Sequence, residues 1–388
     1  MGRRVILAVT GSIAAYKAVE ILREFQKKNW EVQVVMTGAA TRFVSPLTFQ
    51  TLSGRKVIAD QFRDVESLEH IELCREAEAL LVAPATADFI AKMAVGLADD
   101  FPSSLYLACR KPVFVAPAMN QGMLLHPATQ KNLTVLRERG VHIVEPEKGY
   151  LACEDEGLGR LAEPARVVFQ VISSLGKELK GKRILVTAGP TREFIDEVRF
   201  ISNPSTGKQG VAIAHQAALM GAEVHLLLSS ASPLNPMVPA ENFTTAQELR
   251  EKLLDRDFDL LFMAAAVGDF RPVRFQAGKI RREGKLHLEL EATPDILAEV
   301  CRKKRPGQFV VAFAAETEDF LERAREKMRR KGADAVFVNP VGREMGFASD
   351  QNQGWLIFSD GTSHEIPPAP KEEVARRIIE IILKKEEI

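Results

Sequence analysis

Cys153 lies in GYLACEDEGLGR (149–160), a stretch of glycines and charges with few apolar residues. Such a stretch reads as a loop, and a thiol in a loop is accessible rather than packed. Asn120 closes the run APAMN, a polar amide emerging from an apolar strand, and His70 stands in HIEL. A thiol, an imidazole and an amide can between them move a proton and hold a carboxylate. Further along, Asp269 follows the apolar run LLFMAAAV, and Lys279, Arg281 and Arg282 form a short basic cluster behind it. An acid for Mg2+ beside cations for a triphosphate is a workable pairing. Lys327 and Lys331, four residues apart, either extend that cationic surface or belong to a solvated helix face in the charge-rich run 318–331.

Short apolar runs alternating with helical patterns must position these residues, an arrangement that implies parallel sheets with crossover helices. Val5 to Val9 reads as a strand, Ala14 to Lys28 as a helix and Val32 to Met36 as the next strand. The unit restarts with strand Ile184 to Thr187, a long loop, helix Gly210 to Met220 and strand Val224 to Leu228. EALLVAPATADF (78–89) parallels DLLFMAAAVGDF (259–270), and KPVFVAPAMN (111–120) parallels QFVVAFAAET (308–317). Between the halves the polar SSLGKELKGK (173–182) separates a helix-like run, Pro164 to Ile172, from the restarted strand, so the expected domains are 1–178 and 179–388. An amphipathic helix closes the chain, with Val374, Ile378, Ile379, Ile381 and Ile382 among charges. The expected fold class is α/β, two doubly wound three-layer domains.

Ligands of open parallel sheets gather beyond the carboxyl ends of the strands. Gly11 and Ser12 follow the first strand, where Gly11 permits a tight turn and Ser12 offers a hydroxyl and an N–H at a helix start, a site for phosphate. Thr37 and the run Pro84 to Asp88, which includes Thr86, add small hydroxyls at the same edge. In the second half, NPSTGKQG (203–210) suggests a P-loop, but Ser202 and Gln209 stand where that motif needs Gly and Ser or Thr.

The 388 residues carry 52 basic and 52 acidic side chains, and the balance is 22 to 21 within the first 180. Neither half has the basic excess that a phosphate backbone or anionic bilayer attracts, so no nucleic acid and no membrane partner is expected. The start MGRRVILAVTGSIAAYK imitates a secretory leader, yet Lys17, Glu20, Arg23 and Glu24 continue an amphipathic helix that a leader would not need. Four scattered cysteines without CxxC suit a reduced, cytoplasmic protein. From these residues alone, an oxidoreductase and a ligase acting on phosphorylated small molecules remain equally supported.

GSIAAYK, HIEL, PATADFIAKMAVGLADD, APAMNQGM and LACEDEGLGRL together resemble the flavin-dependent cysteine decarboxylases that act on phosphopantothenoylcysteine, over residues 1–165. The resemblance implies a flavodoxin-like fold holding FMN near Gly11, Ser12, Thr37, Thr86 and Ser104, with the phosphate at Ser12. It further implies oxidation of the cysteinyl thiol so that the carboxylate can leave. His70 matches a catalytic histidine, Asn120 the amide that holds the substrate carboxylate, and Cys153 the proton donor of the reductive step.

TAGPTREFID, VRFISNPSTGKQG, AAAVGDFRP, KIRR, TPDIL, FAAET and NPVGREMGF resemble the phosphopantothenate-cysteine ligases, over 181–365. Joined in this order, the halves are similar to the bacterial bifunctional enzymes of coenzyme A biosynthesis. The second resemblance implies a Rossmann-like domain that activates 4'-phosphopantothenate with CTP to an acyl-cytidylate, which the amine of cysteine then attacks. Asn203 would contact the acyl-cytidylate, and Asp269 with Lys279 the triphosphate and Mg2+. Met263, Ala264, Ala265, Pro294, Asp295, Ile296, Leu297, Phe313, Lys327 and Lys331 would complete the CTP site. It implies a homo-oligomer as well, with trimeric flavin domains and dimeric ligase domains in a dodecamer. Three departures stand out: Gly268 where the family usually has Ala, Arg281 and Arg282 in a lysine cluster, and NPSTGKQG for the commoner NHSSGKMG.

Overall fold

A computed structural model describes residues 2–60, 69–150, 156–282, 284–316, 320–340 and 349–386, and the side chains of 69, 70, 316, 320, 340 and 386 also lie outside that description. The chain divides into two compact units, 1–175 and 176–388.

In the first unit the order is β1 (Arg4–Val9), α1 (Lys17–Lys27), β2 (Glu31–Met36), α2 (Pro46–Ser53), α3 (Glu69–Glu76) and β3 (Ala79–Ala85). It continues with α4 (Ala87–Val95), α5 (Phe101–Ala108), β4 (Val113–Pro117), α6 (Gln121–Leu125), α7 (Pro127–Glu138), β5 (His142–Ile143), β6 (Glu147–Tyr150), β7 (Glu156–Arg160) and α8 (Pro164–Ser174). The five strands β2-β1-β3-β4-β5 form one parallel sheet, the flavodoxin-like order. Parallel neighbours need a crossover, which is why a helix follows each of β1 to β4. Ile6 and Ala8 of β1 pack with residues of α3, α4, α5 and α7 in one core. The alternating Val5, Leu7 and Val9 turn to the opposite face, where α1 packs on α8.

The first helix departs from the sequence expectation. Ile13–Tyr16 is a 3-10 turn and the α-helix proper starts at Lys17. The Ser12 hydroxyl accepts from the Ala14 N–H at 3.2 Å, two residues on, and so tightens the entry into the helix.

The second unit runs β8 (Arg183–Ala188), β9 (Arg192–Phe194), β10 (Phe200–Ser202), α9 (Lys208–Leu219), β11 (Glu223–Ser229), β12 (Ala240–Phe243), α10 (Ala246–Leu254) and β13 (Leu260–Met263). It ends with β14 (Phe270–Pro272), β15 (Leu290–Ala292), α11 (Ile296–Lys303), β16 (Phe309–Glu316), α12 (Phe320–Lys331), β17 (Ala335–Pro340), β18 (Gln351–Phe358), β19 (Ser363–Pro370) and α13 (Lys371–Glu386). The sheet order is β12-β11-β8-β13-β16-β17-β18-β19. Its first six strands are parallel and, counted in chain order, read 3-2-1-4-5-6, the Rossmann arrangement. β18 and β19 extend it antiparallel. One face carries α10, α11 and α12, and on the other α9 packs against β8, β11 and α13. Among the described residues no helix is long and apolar enough to cross a membrane.

Candidate active sites

In both sheets the strand order reverses beside the first strand, between β1 and β3 and between β8 and β13. In folds of this kind the loops part at such a point and leave a crevice at the carboxyl edge.

At the first crevice the buried Thr10 hydroxyl donates to the Pro84 carbonyl at 2.6 Å and accepts from the Thr86 N–H at 3.0 Å, tying the loops after β1 and β3 together. The Thr86 hydroxyl caps α4 by accepting from Phe89 N–H, a bond of about 1 kcal/mol in typical helices. A Cβ on Gly11 would fall 2.5 Å from that of Ala39, so only glycine lets the loop after β1 lie against the loop after β2. Thr37, nearly buried, accepts from Ala40 N–H in the same loop. Ser104, partly buried, lies in the first turn of α5, which Asp100 and Ser103 close as a reciprocal cap.

Asn120 caps α6, its side-chain oxygen accepting from Gly122 N–H at 2.7 Å. The glycine-rich hairpin β6–β7 is docked on this loop. Met119 N–H donates to Gly159 O at 3.0 Å, and Leu158 N–H to the Gln121 side chain at 2.7 Å. Gly159 has φ +134°, and a Cβ there would lie 2.2 Å from the Met119 carbonyl oxygen, so no other residue permits this approach. Cys153 lies outside the described residues, but the strands flanking its segment pair, Tyr150 opposite Glu156. His70 lies on α3, which packs against α5.

At the second crevice is a cavity of about 820 Å³. Asn203, Met263, Ala264, Ala265, Asp269, Pro294, Asp295, Ile296, Leu297, Phe313, Lys327 and Lys331 all line it. The sequence reading left Lys327 and Lys331 between a ligand surface and a solvated face, and the structure puts both at the cavity. Lys327 donates to the Phe313 carbonyl at 3.0 Å, and Lys331 is bonded to Asp295. Burial pushes the Asp295 carboxyl up, but the bonds from Lys331 and the Ala298 N–H more than reverse this and keep it ionised. Phe313 leans on Phe337 with ring centres 5.5 Å apart.

Asp269 is positioned by hydroxyls on both sides of the preceding peptide. Thr191 accepts from Gly268 N–H at 2.9 Å, and Thr293 donates to Gly268 O at 2.6 Å. Asn203 donates to the Val267 carbonyl at 3.1 Å, joining its loop to this one. Asp269 itself is exposed.

Lys279 stands on the arm that follows β14 (Phe270–Pro272). It is exposed and is not among the cavity-lining residues. Its segment follows the short strand β14, which pairs with β15 in a two-stranded sheet of its own.

The sequence reading missed Lys208, Asn352 and Lys371, which line the far end of the cavity. Gly207, at φ +83°, caps α9 and turns its first amides toward this end. A Cβ on Gly210 would lie 2.6 Å from that of Ala188, so glycine lets α9 pack directly on β8. Lys371, only 7% exposed, donates to Ser349 O at 2.6 Å, and burial with the nearby Lys208 pushes its pKa down. Lys208 pairs with Asp350 at 2.6 Å. Four lysines against two aspartates give the cavity a cationic lining, suited to a polyanion.

Together the two units define an α/β protein, each with the strand-order reversal beside which such folds bind ligands. Residues 1–176 match the Flavoprotein family model, and residues 179–385 match that of the DNA/pantothenate metabolism flavoprotein C-terminal domain. The chain is 42% identical, over 98% of its length and 96% of the relative's, to the coenzyme A biosynthesis bifunctional protein CoaBC of Mycobacterium tuberculosis. Identity to the protein of that name from Bacillus subtilis is 41%, over 98% and 96%, and to that from Haemophilus influenzae 38%, over 99% and 98%. The chain belongs to this bifunctional coenzyme A biosynthesis family.

Proposed function

We propose that residues 179–388 join cysteine to 4'-phosphopantothenate at the expense of CTP, and that residues 1–178 decarboxylate the product to 4'-phosphopantetheine with FMN. The observation that carries this reading is kinship running through both units to relatives named as bifunctional proteins of coenzyme A biosynthesis.

In the ligase half the cationic cavity holds the nucleotide, its base end against Phe313 and the 294–297 turn and its phosphates toward the lysines and Asp269. The substrate carboxylate attacks the α-phosphorus and pyrophosphate leaves. The amine of cysteine then attacks the acyl carbon and CMP leaves. Asn203, tied to the Asp269 loop, contacts the acyl-cytidylate, and Lys279 neutralises charge on the phosphates. The Asp269 carboxylate would hold Mg2+, which would neutralise charge on the nucleotide phosphates. Among the described residues no group of three or more acids, histidines or cysteines could hold it alone.

In the decarboxylase half the first crevice offers a neutral set of donors, the Ser12, Thr37, Thr86 and Ser104 hydroxyls with the amides of a helix start. Ser12 and the amides of the helix start fit the phosphate of FMN, with Thr37, Thr86 and Ser104 toward the rest of the cofactor, and the close approach at Gly11 keeps the phosphate turn compact. Bound FMN supplies two-electron oxidation and reduction of the substrate's sulfur-bearing carbons. Asn120 binds the substrate carboxylate with its amide, His70 is the catalytic histidine, and Cys153 gives a proton to carbon; the hairpin strands that flank the segment of Cys153 are docked on the loop of Asn120.

Exposed apolar side chains support the oligomer implied by the resemblance. Ile13, Leu47 and Val95 in the first unit are at least 62% exposed, and Phe275 and Leu286 stand out in the second. Trimers of the first unit, dimers of the second and a dodecamer overall would cover them. The free thiols of Cys74, Cys109 and Cys301 suit a cytoplasmic enzyme.

The test is to supply the purified chain with 4'-phosphopantothenate, cysteine, CTP and Mg2+. We expect a yellow protein that forms 4'-phosphopantetheine, CMP, pyrophosphate and CO2 in equal amounts. Failure to form the amide, or an amide that keeps its carboxylate, overturns the corresponding half of the reading.

A further inference from the structure

The β9–β10 connection carries Asp196, an acid with no exposed surface, while the next residues, Glu197 and Val198, are exposed. Its Oδ1 accepts from Val198 N–H at 2.7 Å and Arg199 N–H at 2.6 Å. Its Oδ2 accepts from the Arg199 guanidinium at 2.5 Å and, from a segment 84 residues away, Ile280 N–H at 3.0 Å. Arg199 completes the grip by donating to the Ile280 carbonyl at 3.1 Å. Both polar groups of one peptide residue are thus held by a single ion pair.

A second anchor lies four residues earlier. Gln276 N–H donates to Ile195 O at 3.0 Å, and Gln276 forms a parallel bridge with Asp196. Between the anchors run Ala277, Gly278 and Lys279, with Gly278 at φ +77° making the turn. The rest of the arm from Val273 to Leu290 is largely exposed. Lys279 therefore rises from a stretch of the arm tethered at both ends to the β9–β10 connection.

We propose that Asp196 is the positioning residue for Lys279, holding the base of the arm so that this ammonium serves the nucleotide site. A lysine whose backbone lies outside the cavity works on a bound phosphate only if its base is fixed. Its flexible stem already gives the charge a wide range, and each further degree of freedom dilutes it. Burial raises the Asp196 pKa, but the Ile280, Val198 and Arg199 amides and the guanidinium outweigh it and bring it to about 2, so the acceptor stays charged. The proposal rests on the assignment of Lys279 to the phosphates.

The test uses the full chain and two readouts. In the unaltered protein the Ile280, Val198 and Arg199 amides should exchange with deuterium slowly for an exposed arm. Exchange at open-loop rates overturns the anchor, whether or not any variant folds. Asp196→Asn should free Ile280 and cut ligase turnover about 10-fold, while CO2 release from supplied phosphopantothenoylcysteine stays unchanged. In a Lys279→Gln background the same change should cost less than about 2-fold, because the group it positions is gone. The full loss recurring there shows that Asp196 acts elsewhere and overturns the proposal. A Lys279→Gln enzyme with normal ligase turnover instead overturns the assignment of Lys279, and is told apart because the exchange rates report on the anchor alone.

Discussion

The loops beyond β1 and β3 and the loops beyond β8 and β13 occupy equivalent places, the reversal point of a parallel sheet, yet their side chains differ in kind. The first edge is built from threonine and serine hydroxyls that cap helices or tie loops to one another. The second collects four lysines and two aspartates around a cavity of about 820 Å³. Neutral hydroxyls and amides at a helix start suit a phosphate monoester, whereas lysines held by bonds to carbonyls and carboxylates present fixed positive charge to a more highly charged anion. The sheet order is shared, and the linings differ: loop hydroxyls at the first edge, and lysines carried by α9, α12 and α13 at the second.

The largest effects should come from reciprocal substitutions. Lys279→Gln should lower ligase turnover about 100-fold and leave decarboxylation of supplied phosphopantothenoylcysteine untouched. Cys153→Ser should do the reverse, ligating normally and releasing CO2 but delivering reduced product about 100-fold more slowly. Separate assays of amide formation, CO2 and 4'-phosphopantetheine read all three steps. A variant that loses both activities equally would show that the two edges do not work as independent sites.

An intermediate effect is expected at the glycines that let each edge close. Gly11→Ala places a methyl 2.5 Å from Ala39 Cβ, and Gly210→Ala places one 2.6 Å from Ala188 Cβ and 2.9 Å from the Thr187 carbonyl. Each crowds backbone rather than a flexible side-chain end, a strain of about 1–3 kcal/mol. The two should differ in what they spoil. Gly11→Ala should lose yellow colour on gel filtration with ligase turnover intact, and Gly210→Ala should stay yellow while its KM for CTP rises about 10-fold. Loss of flavin in the Gly210 variant would break the comparison.

The strands beside each crevice were legible because strands buried on both faces read as unbroken apolar runs, as in ALLVAPA and LLFM. The parallel segments of the two halves fall on matching strands, β3 with β13 and β4 with β16, each pair successive beyond the reversal point. The far end of the second cavity was not legible. Lys371 opens a helix whose sequence shows only amphipathicity, and Asn352 sits on an antiparallel extension that the βα alternation does not announce. They meet Gln209 across at least 143 residues, through the Asn352–Gln209 bond at 2.8 Å and the Gln209–Lys371 carbonyl contact. Such contacts are set by tertiary packing, and no local period encodes them. Lys279 shows the converse, a motif position whose place relative to the cavity depends on a two-stranded sheet separate from the main one.

The smallest effect is expected at Gly268, where the ligase resemblance implies alanine. Its backbone is not left-handed, and a Cβ there would lie 3.4 Å from the Thr191 hydroxyl and 3.6 Å from Glu193 Cγ, ordinary contact distances. The hydroxyls of Thr191 and Thr293 bond the peptide N–H and C=O of residue 268, groups that alanine keeps. Gly268→Ala should therefore leave CTP turnover within about 2-fold and raise stability by up to about 1 kcal/mol by restricting the unfolded chain. A fall in turnover beyond that, measured at saturating CTP, would mean that the Asp269 loop must move during the reaction and that glycine is what allows it. The second crevice would then differ from the first in mobility as well as in charge.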